Sequence, residues 1–168
     1  QAIIINSPNN PSGVVYTRET LEKLAALLER KSAEFGHRIY IIADEPYREL
    51  VYDGAVVPFI PNIYPHTVVC YSYSKSLSLP GERMGYGYVP SAAEQGRDLY
   101  HAILGAARAM GHVCAPSLMQ LMLARCAHLQ PDLTVYDRNR KTLADALTSY
   151  GYEMARPEGA FYIFLKAP

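Results

Sequence analysis

Short apolar runs alternate along the chain with polar, turn-forming stretches, and their spacing predicts the elements. Residues 2–5 form an apolar run, Ala-Ile-Ile-Ile, which Asn6-Ser7-Pro8-Asn9-Asn10-Pro11-Ser12-Gly13 halts with turn formers. A strand followed by an ordered loop is expected. Leu21, Leu24, Ala25 and Leu28 then recur at i, i+3, i+4 and i+7, with Thr17 positioned to cap and Gly36 to close, which predicts a helix over 17–35. Residues 39–43, Ile-Tyr-Ile-Ile-Ala, are near-continuously apolar and end at Asp44-Glu45-Pro46, the pattern of a buried strand with acids at its carboxyl end. Strand, helix and strand of these lengths make a βαβ unit, hence a parallel pair joined by a right-handed crossover.

Residues 46–65 are rich in Pro and aromatics and predict an irregular crossover with one helical segment around 47–52. A third strand over 67–71 runs straight into Ser72-Tyr73-Ser74-Lys75, and residues 84–89 predict a fourth. Helices are expected over 91–110, 116–129 and 132–150, the last with Leu133, Tyr136, Arg140, Leu143 and Leu147 on one stripe. Residues 160–165 predict a strand separated from the earlier ones by helices alone, so a second, incomplete domain is expected to begin there. The fold class is α/β: a mostly parallel four-stranded sheet in a three-layer αβα arrangement. Because the chain opens at Gln1 directly into a strand-like run and stops at Pro168 just after another, both ends read as cut.

Composition narrows the function classes. Sixteen Lys plus Arg balance sixteen Asp plus Glu, so no basic excess is available to neutralise nucleic-acid phosphates. With 168 residues, 49% hydrophobic and 19% charged, the chain has the balance of a globular protein. It lacks an apolar run long enough to span a bilayer, and three unpaired-looking cysteines, Cys70, Cys114 and Cys126, argue for a reducing, cytoplasmic home. Metal binding has little support, since Cys126 and His128 sit at i, i+2 on a predicted helix and face apart. The Leu118–Leu123 stripe reads as core or as a subunit contact.

In open α/β sheets, ligands sit beyond the carboxyl ends of the parallel strands. Those ends are followed by Asn10, by Asp44 and Tyr47, and by Ser72, Ser74 and Lys75, while Arg83 returns across a Pro80-Gly81 turn. A lysine amine beside a carboxylate and an anion-binding arginine suits Schiff-base chemistry with a phosphorylated aldehyde. Each residue also has a plainer role: Lys75 as a solvated loop lysine, Asp44 as a helix cap, Tyr47 as one of 14 tyrosines, Arg83 in a surface ion pair, Asn10 in a turn. Ser72-Tyr73-Ser74-Lys75 also fits the S-x-x-K pattern of serine acyl-transferases, although no K-T-G or S-D-N partner is present. A folded fragment or interaction module that retains an enzyme's motifs is the non-enzymatic alternative.

Five segments, Asn9-Asn10-Pro11-Ser12-Gly13, Asp44-Glu45-Pro46-Tyr47, Ser72-Tyr73-Ser74-Lys75, Gly81-Glu82-Arg83-Met84-Gly85 and Pro157-Glu158-Gly159-Ala160-Phe161-Tyr162, occur in an order and spacing that resembles the fold-type I aminotransferases that use pyridoxal 5′-phosphate. The resemblance implies that Lys75 forms the Schiff base and shuttles the proton. It further implies that Asp44 binds the pyridine nitrogen, that Asn10 and Tyr47 bind the phenolic oxygen, and that Ser72, Ser74 and Arg83 lie near the phosphate. By the same resemblance, residues 1–130 correspond to the second half of the cofactor-binding large domain, and 131–168 to a connecting helix and the start of a small α+β domain. The substrates implied are an amino acid and a 2-oxo acid, and the complete enzyme would be a homodimer.

Overall fold

The computed structural model describes residues 1–166. Four strands, β1 (Ala2–Asn6), β2 (Tyr40–Asp44), β3 (Thr67–Ser72) and β4 (Gly85–Tyr88), form one sheet in the order β1-β2-β3-β4. The first three are parallel and β4 is antiparallel to β3, so the sheet is α/β and mostly parallel as the apolar runs predict. Helix α1 (Arg18–Phe35) joins β1 to β2. Its ends match their sequence signals: the Thr17 hydroxyl accepts from the Thr20 amide at 3.2 Å, and Gly36 leaves the helix at φ 70°, a conformation that favours glycine.

One face of the sheet carries the core. Leu21, Ala25 and Leu28 of α1 pack against Ile5, Ile41, Ala43 and Val69, and Ile60 and Tyr64 join them from the β2–β3 crossover. Burying each of these large aliphatic side chains is worth about 1.5–3 kcal/mol. Tyr64 is admitted because its hydroxyl donates to the Ile39 carbonyl at 2.6 Å. On the opposite face Ile4 is 70% exposed.

Beyond β3 the chain forms the four-residue helix α2 (Tyr73–Ser76), then β4, α3 (Gly96–Ala109), α4 (Ser117–Cys126) and α5 (Thr134–Ser149). The Leu118–Leu123 stripe divides, with Leu123 buried and Leu118 and Leu121 exposed. None of the described helices is long and apolar enough to cross a membrane.

Two expected elements are absent from the described residues. Residues 47–52 form turns and not a helix: the Leu50 amide bonds to the Tyr47 carbonyl, and the Tyr52 amide is taken by Glu158. Residues 160–165 do not form a strand, because the Ala160 amide goes to the Leu50 carbonyl and only isolated bridges, Val51 with Gly159 and Met154 with Leu165, flank the segment. Ala167 and Pro168, the last residues assigned to a second domain, lie outside the described residues.

Candidate active site

The register of the parallel strands sets the site. Asn6 lies opposite Asp44, and Asp44 opposite Cys70, so three polar side chains end one face of the sheet in a row. Asn6 Nδ2 donates to the Asp44 carboxylate Oδ2 at 3.1 Å and to the Asp44 carbonyl at 2.9 Å. Strand alternation sends the adjacent Glu45 to the other face, where it is 2% exposed and pairs with Arg48 at 2.8 Å. Of the two acids, Asp44 alone therefore joins this row. Burial raises its carboxyl pKa from its ordinary value, and the Asn6 amide pulls in the opposite direction.

Tyr47 is the hub of the site. It is 5% exposed, and its hydroxyl lies 2.8 Å from that of Tyr162, with the rings edge-on at 5.6 Å. Burial first, and then the Tyr162 hydroxyl, push the Tyr47 phenol up to about 12, while the Asn10 side chain acts against that rise. Phe161 packs edge-on against Tyr47 at 5.6 Å, and Lys75 Nζ stands 5.6 Å from the centre of the same Phe161 ring. Tyr47 and Lys75 thus meet at aromatic rings contributed by the far end of the chain, and Asn6 ties Asp44 to the loop of Asn10.

Lys75 rides on α2, where the Ser72 hydroxyl oxygen accepts from the Ser74 amide at 3.2 Å and so starts the turn. Ser72 Oγ in turn donates to Ser74 Oγ at 2.8 Å. No hydrogen bond joins Ser72 to Lys75 among the described residues, so the pairing that S-x-x-K chemistry requires is not formed. The Arg83 side chain is turned to a different partner: it is exposed, the residue takes a left-handed φ of 55°, and the guanidinium donates to the Pro80 carbonyl at 2.6 Å.

The two aromatic rings are delivered by Pro157–Tyr162, which is laced to both early loops. The Glu158 and Gly159 amides donate to the Gly13 carbonyl at 2.8 Å each, and the Tyr52 hydroxyl donates to the Ala160 carbonyl at 2.7 Å. Gly13 has φ 70°, and a Cβ there would stand 2.8 Å from the Pro157 Cβ, so glycine is demanded both by conformation and by space. Two contributors were missed by sequence reasoning. Asn6 was read only as a turn former, although it is the last residue of a strand in register with Asp44; Tyr162 was read only as part of a matching segment, since its partner is 115 residues away.

The whole chain, residues 1–168, matches the family model described as aminotransferase class I and II. It is 30% identical to a probable aspartate/prephenate aminotransferase of Thermus aquaticus over 98% of this chain and 42% of that protein. It is also 30% identical to an aspartate aminotransferase of Geobacillus stearothermophilus, over 99% of this chain and 42% of that one. Among solved structures, an amino transferase from Eubacterium rectale superposes with a TM-score of 0.96 at 57% identity, covering 99% of this chain and 42% of that one. An aspartate aminotransferase of Thermotoga maritima gives 0.81 at 29% identity, covering 99% and 42%. The chain spans about two fifths of the length of the curated relatives it matches.

Proposed function

The chain belongs to the class I and II aminotransferase family, and we propose that the complete protein moves an amino group between an amino acid and a 2-oxo acid with pyridoxal 5′-phosphate held at Lys75. The observation that carries this reading is the meeting of Tyr47 and Lys75 at the Phe161 ring, together with the strand-end row in which Asn6 ties Asp44 to the loop of Asn10. The donor set fits the cofactor. Asp44 is a carboxyl whose pKa burial raises and whose Oδ2 alone is engaged by Asn6, so a cationic partner such as a pyridinium nitrogen offsets the burial. When bound, the cofactor supplies an aldehyde that condenses with amines and a protonated ring that accepts the electrons released at the substrate carbon.

The chain's own groups have separable tasks. Asp44 holds the proton on the pyridine nitrogen. Tyr47 and Asn10 donate to the phenolic oxygen. Lys75 Nζ would hold the cofactor through its aldehyde carbon and, once freed by an incoming amine, would be the base that moves a proton between the substrate carbon and the cofactor. Ser72 and Ser74 offer hydroxyls on the phosphate side, and Arg83 joins them when its side chain leaves the Pro80 carbonyl. A large cofactor domain ending near residue 130, a small domain after it, a homodimer and a cytoplasmic setting belong to the same proposal.

Borohydride reduction tests it directly. With pyridoxal 5′-phosphate added, reduction of the complete protein is expected to leave a phosphopyridoxyl group on Lys75, and the protein is expected to pass nitrogen from a 15N-labelled amino acid to a 2-oxo acid. Labelling spread over Lys23, Lys31, Lys141 and Lys166, without nitrogen transfer by any donor, overturns the reading and favours the inert fragment.

A further inference from the structure

The Tyr47 hydroxyl has one proton and more than one claimant. Tyr162 lies 2.8 Å from it, and in the proposed site the phenolic oxygen of the cofactor is the second. A phenol donates a single hydrogen bond and accepts through its lone pairs. If the Tyr47 proton is spent on Tyr162, none remains for a third group in the site. If instead Tyr162 donates, the Tyr47 oxygen is satisfied as an acceptor and its proton is free to turn outward. A hydroxyl that accepts is also a stronger donor, because the two bonds polarise one another.

Resting on the proposed function, the geometry points to Tyr162 as a positioning residue that donates its hydroxyl proton to Tyr47 and so directs the Tyr47 proton onto the phenolic oxygen of the cofactor. Tyr162 is built for that task. Its ring is edge-on to Tyr47 at 87° and tilted against Phe161 at 4.9 Å, which fixes the direction of the hydroxyl. The backbone just before it is pinned from two sides, by Gly159 to the Gly13 carbonyl and by Ala160 to the Leu50 carbonyl, both at 2.8 Å. Tyr162 does not touch the reacting atoms; it acts through Tyr47. With the site empty either hydroxyl of the pair can donate, and the bound cofactor selects the direction in which Tyr162 is the donor.

The test is a pH titration of the bound cofactor's visible absorption band in four forms of the complete protein: wild type, Tyr162→Phe, Tyr47→Phe and the double variant. A weaker donation from Tyr47 leaves the phenolic oxygen more basic and holds the proton it shares with the lysine nitrogen more tightly. Tyr162→Phe, which keeps the ring, is expected to raise the midpoint by about 0.3 pH units, roughly a twofold change in that equilibrium. Tyr47→Phe is expected to raise it further. In the Tyr47→Phe background the Tyr162 substitution should change nothing, since there is no longer a hydroxyl to act through. A Tyr162→Phe midpoint equal to wild type while Tyr47→Phe shifts, or the same Tyr162 effect in both backgrounds, overturns this inference alone. A Tyr47→Phe midpoint that does not move overturns both the assignment of Tyr47 and the role of Tyr162.

Discussion

Asn6 holds Asp44 by two hydrogen bonds across neighbouring parallel strands, one to the carboxylate Oδ2 at 3.1 Å and one to the backbone carbonyl at 2.9 Å. The third bond of the same side chain goes elsewhere: Asn6 Oδ1 accepts from the Asn10 amide at 2.6 Å. The orientation of the Asn6 amide is forced, because an ionised carboxylate and a carbonyl only accept, and a backbone amide only donates. One side chain thereby ties the residue proposed to meet the pyridine nitrogen to the loop that carries a residue proposed to meet the phenolic oxygen.

Asn6→Asp separates these two duties. It keeps an acceptor for the Asn10 amide, removes the donor to Asp44 and adds a like charge beside it. Loss of a hydrogen bond to a charged group, with added repulsion, is expected to weaken pyridoxal 5′-phosphate binding by the complete protein by about tenfold or more. The Asp44 carboxyl, followed by its side-chain carbon resonance in the cofactor-free protein, should titrate at higher pH than in wild type. Unchanged affinity together with an unchanged Asp44 titration would show that the Asn6 bond does not support the site.

The sequence carried the fold where local signals agree with tertiary demand. Over 17–35 the apolar period, the Thr17 cap and Gly36 all point to the same helix, and α1 follows them. The runs at 2–5, 39–43 and 67–71 lie where β1, β2 and β3 form, because strands buried in a parallel sheet are nearly continuous in apolar residues. Residues 160–165 have strand-like composition, yet their neighbours offer loop carbonyls in place of a ladder, which no local pattern encodes. In the sequence Arg140 is one member of a helical stripe, and in the structure it is buried with partners from two other places in the chain, Asp53 and Pro157. Register and long-range partners also explain why strand ends and motifs point to Asp44, Tyr47 and Lys75 but not to Asn6 and Tyr162.

Arg140 is expected to control how firmly the Pro157–Tyr162 segment sits. Its side chain is 8% exposed, lies over the Tyr52 ring at 4.7 Å, and donates to Asp137 at 2.6 Å, to Asp53 at 3.0 Å and to the Pro157 carbonyl at 2.9 Å. Arg140→Met fills much of the volume and removes every one of these bonds. Counting chiefly the buried bond to Pro157, the loss is expected to be about 2 kcal/mol. Hydrogen exchange of the Ala160 amide should accelerate in the variant while amides within β2 keep their protection. Equal protection at Ala160 in both proteins would assign the segment's anchorage to its backbone bonds alone.

The structure also carries an acid-sensitive contact at His66, which is buried between β3 and the turn that leads into α3. Its Nδ1 accepts from the Glu94 amide at 3.0 Å, so the ring must lack a proton at Nδ1 to make the bond. The groups facing it are Glu29, 3.9 Å from Nε2, together with Arg38 and Glu94, and the rings of Tyr40 and Tyr64 meet it edge-on at 6.2 and 5.2 Å. Burial, and then Arg38, lower the His66 pKa below its ordinary 6.5, with Glu29 and Glu94 opposing. A histidine whose pKa is depressed on folding binds fewer protons folded than unfolded, so its contribution to stability is complete above 6.5 and is lost as pH falls through the lower folded value. His66→Gln offers a side-chain oxygen to the same amide and cannot titrate. Urea unfolding midpoints measured from about pH 7.5 down to about pH 5 are expected to fall more steeply for wild type than for His66→Gln, the two curves parting below 6.5. Parallel curves across that range would mean that the Glu94 amide tolerates a protonated ring, and that the loss of stability in acid comes from the carboxyl groups.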